Sequence, residues 1–192
     1  MPPILVPPLI APGSLRRRPQ PTLTIDELVI RPWRVDDSPA VEVAYRDPAI
    51  QQWHLRSMTA GEAMDWVREQ PRLWEAERGA GWAVIGDGSI VARVGFRTLD
   101  LAEGFAEAAY WVLPQGRGRA IAPRVLTTVT RWMMDEVGFH RVTLNHAVAN
   151  TASCRVADKA GFALEGIARK QLLHADGWHD MHLHARVRTT QG

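Results

Sequence analysis

A chain of 192 residues with 46% hydrophobic and 23% charged positions has the composition of a soluble globular protein and enough length for one domain with a full core. The formal net charge of +2 is too small to require nucleic acid as a partner. No apolar run approaches ~18 residues, which excludes a membrane-crossing helix, and the single cysteine, Cys154, excludes an internal disulfide and suits a reducing cytoplasm.

Residues 1–21 hold 7 of the 13 prolines. They are predicted to form an extended or disordered arm, dispensable for ligand binding, ahead of a single domain over 22–192. The apolar part of the arm precedes Arg16-Arg17-Arg18, the reverse of a secretory signal, so the default location is the cytoplasm. Leu28 to Trp33 alternates as a first strand. Ser38-Pro39 supplies a helix cap and a proline for the first turn, and that helix should end near Asp47-Pro48. Ile50 to His54 reads as a loop. Thr59 and Glu62 have the capping-box spacing and open a helix carrying Met64, Val67 and Leu73, interrupted by Pro71. Trp82–Ile85 and Ser89–Phe96 flank Gly86-Asp87-Gly88 as strand, turn and strand. Phe105 to Leu113 is the central strand. A helix over 119–136 ends at Gly138, His140 to His146 is a strand, and Asn150 caps a short helix stopped by Gly161. Ile167 to His174 and His179 to Arg186 close the chain as a hairpin. Strands and helices alternate without the beat of a pure parallel sheet, so the class is mixed α/β. Most of the eight tryptophans are expected in packing roles.

The most informative stretch is Tyr110-Trp111-Val112-Leu113-Pro114-Gln115-Gly116-Arg117-Gly118-Arg119-Ala120. Pro114 ends a strand because it has no N–H to give. Two glycines allow a tight turn, and a helix begins whose first N–H groups lack internal partners and carry partial positive charge. Such a turn cradles phosphate, here with Arg117 and Arg119 inside it. A nucleotide P-loop would need Gly-Lys-Ser/Thr where this chain has Gly-Arg-Ala, and a dinucleotide fingerprint would need a small residue where Ile121 stands.

The spacing Gln115-x-x-Gly118-x-Ala120 resembles the pyrophosphate loop of the GCN5-related N-acetyltransferases. Downstream, Asn150-x-x-Ser153, Lys159-Ala160-Gly161-Phe162, Glu165-Gly166 and Arg169 are similar to the closing motif of the ribosomal-protein (RimJ/RimL-type) branch of that family. The resemblance spans about 27–188. It implies a mixed, mostly antiparallel central sheet flanked by helices, with splayed central strands, and an N-acetyltransferase using acetyl-coenzyme A as donor. It further implies that Gln115 to Ala120 hold the diphosphate while backbone groups of Trp111, Val112 and Leu113 hold the pantetheine arm. One backbone N–H there would polarise the thioester carbonyl. Asn150 and Ser153 would also contact the cofactor, and Arg155 the nucleotide phosphate. Trp53 and His54 fall where the family places its acceptor.

Glu107 is the candidate base: alternation puts it with Ala109 and Trp111 on one strand face, where an apolar setting would raise its proton affinity. A carboxylate at an exposed strand end is the competing description. Many relatives carry a tyrosine acid at the position of Ala157, so Ser153 is the candidate acid. It can equally be a polar residue of its helix's first turn, with the thiolate protonated from solvent. His182 and His184 share a strand face, with His174, His179 and Asp180 nearby, a spacing that can ligate zinc. Since the transfer needs no metal, none is expected. The acceptor would be a peptide or small-molecule amine, on a monomer or homodimer. An aminoglycoside-type acetyltransferase and a non-catalytic acyl-coenzyme A sensor are the alternatives.

Overall fold

The computed structural model describes residues 5–189. One eight-stranded sheet runs in the order β1-β2-β3-β4-β5-β6-β8-β7. The strands are β1 (Leu23–Ile25), β2 (Leu28–Pro32), β3 (Ala80–Gly86), β4 (Ser89–Asp100), β5 (Phe105–Val112), β6 (Arg141–Ala147), β7 (Ala163–His174) and β8 (Gly177–Val187). Five α-helices flank it: α1 (Ser38–Arg46), α2 (Pro48–His54), α3 (Ala60–Glu75), α4 (Ile121–Trp132) and α5 (Thr151–Lys159). Every pairing is antiparallel except β5 with β6. This is the mixed, mostly antiparallel sheet expected.

Apolar side chains of α4 and α5 pack on one sheet face around Ala106, Ala108 and Phe96. The helices α1–α3 pack on the other around Trp33, Ala83 and Trp111. The Thr59–Glu62 capping box forms in both directions. Gly138 takes the left-handed conformation (φ 101°) after a π-helical turn, Met133–Val137, that extends α4.

Three elements differ from the sequence expectation. Ile50–His54 belongs to the helix α2, because the Asp47 carboxylate accepts the Ile50 N–H at 3.0 Å and Pro48 takes the first helical position, where no N–H is missed. The same Asp47 backbone N–H closes α1 on Ala44, so the Asp-Pro pair that ends one helix starts the next. Asp37, not Ser38, precedes α1. Finally, α3 runs unbroken through Pro71, its packing outweighing one lost helical hydrogen bond.

The arm is not a free tail over its described part; residues 1–4 lie outside the described residues. Ile10 and Leu15 are fully buried in the core. The Leu9 and Ile10 N–H groups bond to Ala102 and Leu101. The Glu77 carboxylate accepts the backbone N–H groups of Gly13, Leu15 and Arg16. Although burial opposes ionisation there, those three donors hold the Glu77 carboxyl below the usual carboxylate range. Prolines deny the arm its own ladder, so it lies as irregular chain stapled by one carboxylate and two apolar anchors. Beginning the chain at Thr22 should therefore lower stability by about 3–6 kcal/mol, from two uncovered aliphatic side chains. A thermal or urea melt unchanged by the truncation would show that the arm contributes nothing.

Candidate active site

Strand β5 pairs with β4 along its whole length but with β6 only at Phe105, Ala106 and Glu107. From Ala108 to Val112 the second edge of β5 has no strand partner among the described residues, and the two halves of the sheet diverge there. Leu113 donates its N–H to Val91 of β4 at 2.9 Å. In an antiparallel ladder the backbone groups alternate sides, so Leu113, Trp111 and Ala109 face β4 while Val112, Tyr110 and Ala108 face the gap. The Tyr110 carbonyl accepts the His54 Nε2–H at 3.2 Å and the Val112 carbonyl accepts Arg117 Nε at 3.3 Å, both from the gap side. Of the three residues expected to offer backbone groups to a ligand, Val112 turns its backbone toward the gap. Trp111 lines the gap, but its backbone serves β4, and Leu113 is buried under α1–α3. Tyr110 is the neighbouring residue whose backbone also faces the gap.

The gap opens on a cavity of 440 Å³ that ends at the start of α4. Gly116, Arg117, Gly118 and Ala120 line it, with Val112 and Tyr110 on the strand side and Asn150 and Ser153 on the α5 side. Gly118 (φ 78°) and Ala120 (φ 51°) are both left-handed, flanking Arg119. This alternation makes a concave nest of N–H groups. No side chain caps the first turn of α4, and Pro123 sits where its missing N–H costs nothing. Gly116 is required by space, because a Cβ there would stand 2.9 Å from the Val91 carbonyl oxygen. Gln115 points away and donates to the Ile90 carbonyl. Arg117 is paired with Asp47 and Arg119 with Asp87, both near the surface. Arg155 is exposed on α5 and lines neither this cavity nor the next.

A second recess of 90 Å³ adjoins the first and shares Trp53, His54, Tyr110, Asn150 and Ser153 with it. Arg97, Asn145, His146 and His174 complete its wall. Among the described residues, no carboxylate lines either cavity. Glu107 lies behind that wall: its Oε1 accepts from Arg97 and, at 3.0 Å, from Asn145. The apolar setting expected around it is absent, since a β-bulge at Arg97 turns that guanidinium onto the carboxylate. Asn150 caps α5 as expected, accepting the Ser153 N–H. The Ser153 hydroxyl meets the Tyr110 hydroxyl at 2.8 Å. Burial pushes the Tyr110 phenol up to about 12, so it stays a hydrogen-bond donor at any working pH. Although Ala157 stands where many relatives keep a tyrosine, a tyrosine thus reaches the same serine from β5.

The acetyltransferase (GNAT) domain matches residues 27–163. The chain belongs to the GNAT acetyltransferase family. An uncharacterized N-acetyltransferase of Bacillus subtilis (strain 168), YoaA, is 23% identical over 172 residues, 88% of this chain and 97% of YoaA. The same organism's "Putative ribosomal N-acetyltransferase YdaF" is 30% identical over 115 residues, 60% of each chain. Among solved structures, RimL, the ribosomal L7/L12 alpha-N-protein acetyltransferase in complex with coenzyme A, superposes with a TM-score of 0.82 at 18% identity. That match covers 87% of this chain and 98% of RimL. The family's fold and its N-acetyltransferase class are therefore those of this chain.

His54 connects the two cavities. Burial, followed by the charge of Arg93, lowers its proton affinity from an ordinary value of 6.5 to about 4. A histidine kept neutral in the fold favours the unfolded chain once pH drops below its unfolded value. Stability should thus be level above pH 6.5 and fall as pH declines toward 4, by up to about 3 kcal/mol from this residue. Urea melts across that range should lose most of this slope in His54→Gln. An equal slope in wild type and variant would show that His54 titrates normally.

Proposed function

We propose that this acetyltransferase uses acetyl-coenzyme A to acetylate the α-amine of a protein or peptide in the cytoplasm, as RimJ/RimL-type enzymes do. The single observation that carries the reading is the unpaired β5 edge running from the uncapped start of α4 to the junction of the two cavities. The diphosphate sits on the nest at Gly118–Ala120 and the first amides of α4, with Arg117 and Arg119 released from Asp47 and Asp87 to neutralise it. The pantetheine amides pair with Tyr110 and Val112 in place of the missing strand. The thioester carbonyl then lies against the Tyr110 N–H, which polarises it.

The amine enters from the smaller recess, attacks the carbonyl carbon and forms the C–N bond. Collapse of the tetrahedral intermediate breaks the C–S bond. Glu107 receives the amine proton through water, since Arg97 and Asn145 stand between it and the recess. The Ser153 hydroxyl, backed by Tyr110, stabilises the departing thiolate and relays a solvent proton to it. The sequence resemblance to YdaF supports a protein acceptor. So does the lining of the recess, where Arg97 is the charged side chain and, among the described residues, no carboxylate stands. A polycationic aminoglycoside would be repelled there.

Release of free thiol from acetyl-coenzyme A should be fastest with peptides carrying an acidic residue near a free N-terminus. Polyamines and aminoglycosides should be slower, by a margin that shrinks as salt rises. A preference for polyamines or aminoglycosides would overturn the acceptor assignment. Glu107→Gln should lower kcat by about 100-fold and leave coenzyme A affinity within about twofold. Unchanged turnover would remove Glu107 from the mechanism. Gly118→Val strains a left-handed residue in the nest and should weaken coenzyme A binding about tenfold in calorimetry. Wild-type affinity in that variant would show that the nest does not hold the diphosphate.

A further inference from the structure

A second cluster of chemistry lies beside the smaller recess, whose wall His146 shares, where α5 covers β6 and β8. His146 and His182 are direct cross-strand partners and His184 follows two residues on, so three imidazoles share one sheet face. The rings of His146 and His184 stack with centroids 5.1 Å apart, and His182 meets both edge-on at 5.3 and 5.8 Å. Cys154 descends from α5 onto them, its Sγ 4.0 Å from His182 Nδ1. One donor atom from each of the four lies within 4.8 Å of all the others.

The hydrogen bonds fix what those donors are. A carbonyl oxygen can only accept. The contacts of His146 Nδ1 with the Ala147 carbonyl (2.9 Å) and of His184 Nδ1 with the Phe162 carbonyl (3.2 Å) therefore place both protons on Nδ1. Each Nε2 is left with a lone pair, and both Nε2 atoms are buried with no partner. His146 is 6% and His184 1% exposed, not on a solvent face as strand histidines usually are. Buried acceptors left unmet in this way destabilise a fold unless something else binds them. Imidazoles whose Nδ1 donates to a backbone carbonyl while Nε2 stays unpartnered, grouped with a thiol and a third imidazole, have the arrangement of metal ligands with their supporting shell.

We propose that His146 Nε2, His182, His184 Nε2 and Cys154 Sγ form a tetrahedral site for a divalent metal of zinc type. One sulfur and three nitrogens suit that ion, and four protein ligands leave no open position, so the site is structural. Binding releases the Cys154 thiol proton. The metal joins α5 to β6 and β8, the half of the sheet beyond the gap. It thereby holds Asn150 and Ser153, on the same short helix, against the strands that diverge from β5.

The test uses full-length, tag-free protein, stripped with chelator and titrated with Zn²⁺ and, as a spectroscopic probe, Co²⁺. One equivalent of metal per chain is expected. Co²⁺ should give a thiolate charge-transfer band with the intense visible bands of a tetrahedral ion, and Zn²⁺ should raise the melting temperature. Cys154→Ala should abolish the charge-transfer band, and His182→Ala, at a half-buried position that tolerates truncation, should weaken zinc binding at least about tenfold. His179→Ala, which dismantles the separate His174–Asp176–His179 group, should change neither stoichiometry nor spectrum. Absence of stoichiometric metal, an octahedral cobalt spectrum, or binding lost in His179→Ala but kept in Cys154→Ala would each overturn the proposal.

Discussion

The site depends on where one parallel pairing stops. β5 and β6 share only Phe105–Glu107 with Arg141–Thr143 before they part. Ending a ladder in the middle of a sheet leaves backbone donors and acceptors without partners, which is tolerable only where something else can meet them. Here His54 and Arg117 meet two of the carbonyls for the time being. Both are side-chain contacts that can be exchanged for a ligand's amides without unmaking a strand. The cleft is thus a defect in the sheet, and its walls are placed by the elements that fill either side: α2 and α4 toward β5, α5 toward β6.

That constraint also explains the strained residues. Ala120 is left-handed although it carries a Cβ, at a cost of order 1–2 kcal/mol. The strain falls at the same point where α4 begins without a side-chain cap. A conventional Ser or Asp cap would satisfy these donors internally and remove their attraction for an anion. The missing cap, the positive φ angles and the arginines held at the rim by Asp47 and Asp87 lie together at one end of the cleft, where the proposed diphosphate would sit.

Much of this was legible in the sequence, for physical reasons. Strand-stopping Pro114, the glycine turn and the apolar period of α4 are local signals, and local signals located the turn at which β5 gives way to α4. Asn150 and Gly161 bracket α5 by the same logic. What escaped were properties that need a partner element to define them. Alternation assigns side chains to faces but does not say which edge of β5 carries the gap, and so Trp111 was expected where Tyr110 stands. Glu107 was placed on the correct strand face, yet its surroundings come from Arg97 on a bulge of β4, a register shift with no mark in the sequence of β5. The Asp47-Pro48 pair was read as a stop when its side chain also makes it a start.

The N-terminal arm and the histidine cluster show the limit from the other side. Proline content correctly denied the arm a ladder, but irregular backbone can still be ordered when a carboxylate collects its N–H groups and apolar anchors are buried, as Glu77, Ile10 and Leu15 do. The i, i+2 spacing of His182 and His184 was visible, while their burial was not, because it follows from α5 lying over that face rather than from β8 itself. Composition tells what a segment cannot form alone; whether it is covered depends on what folds onto it. Here the same short helix that caps itself with Asn150 and presents Ser153 to the cleft also closes over three imidazoles. The sheet halves therefore separate at β5–β6 while the second half is held to the cleft's far wall by one element.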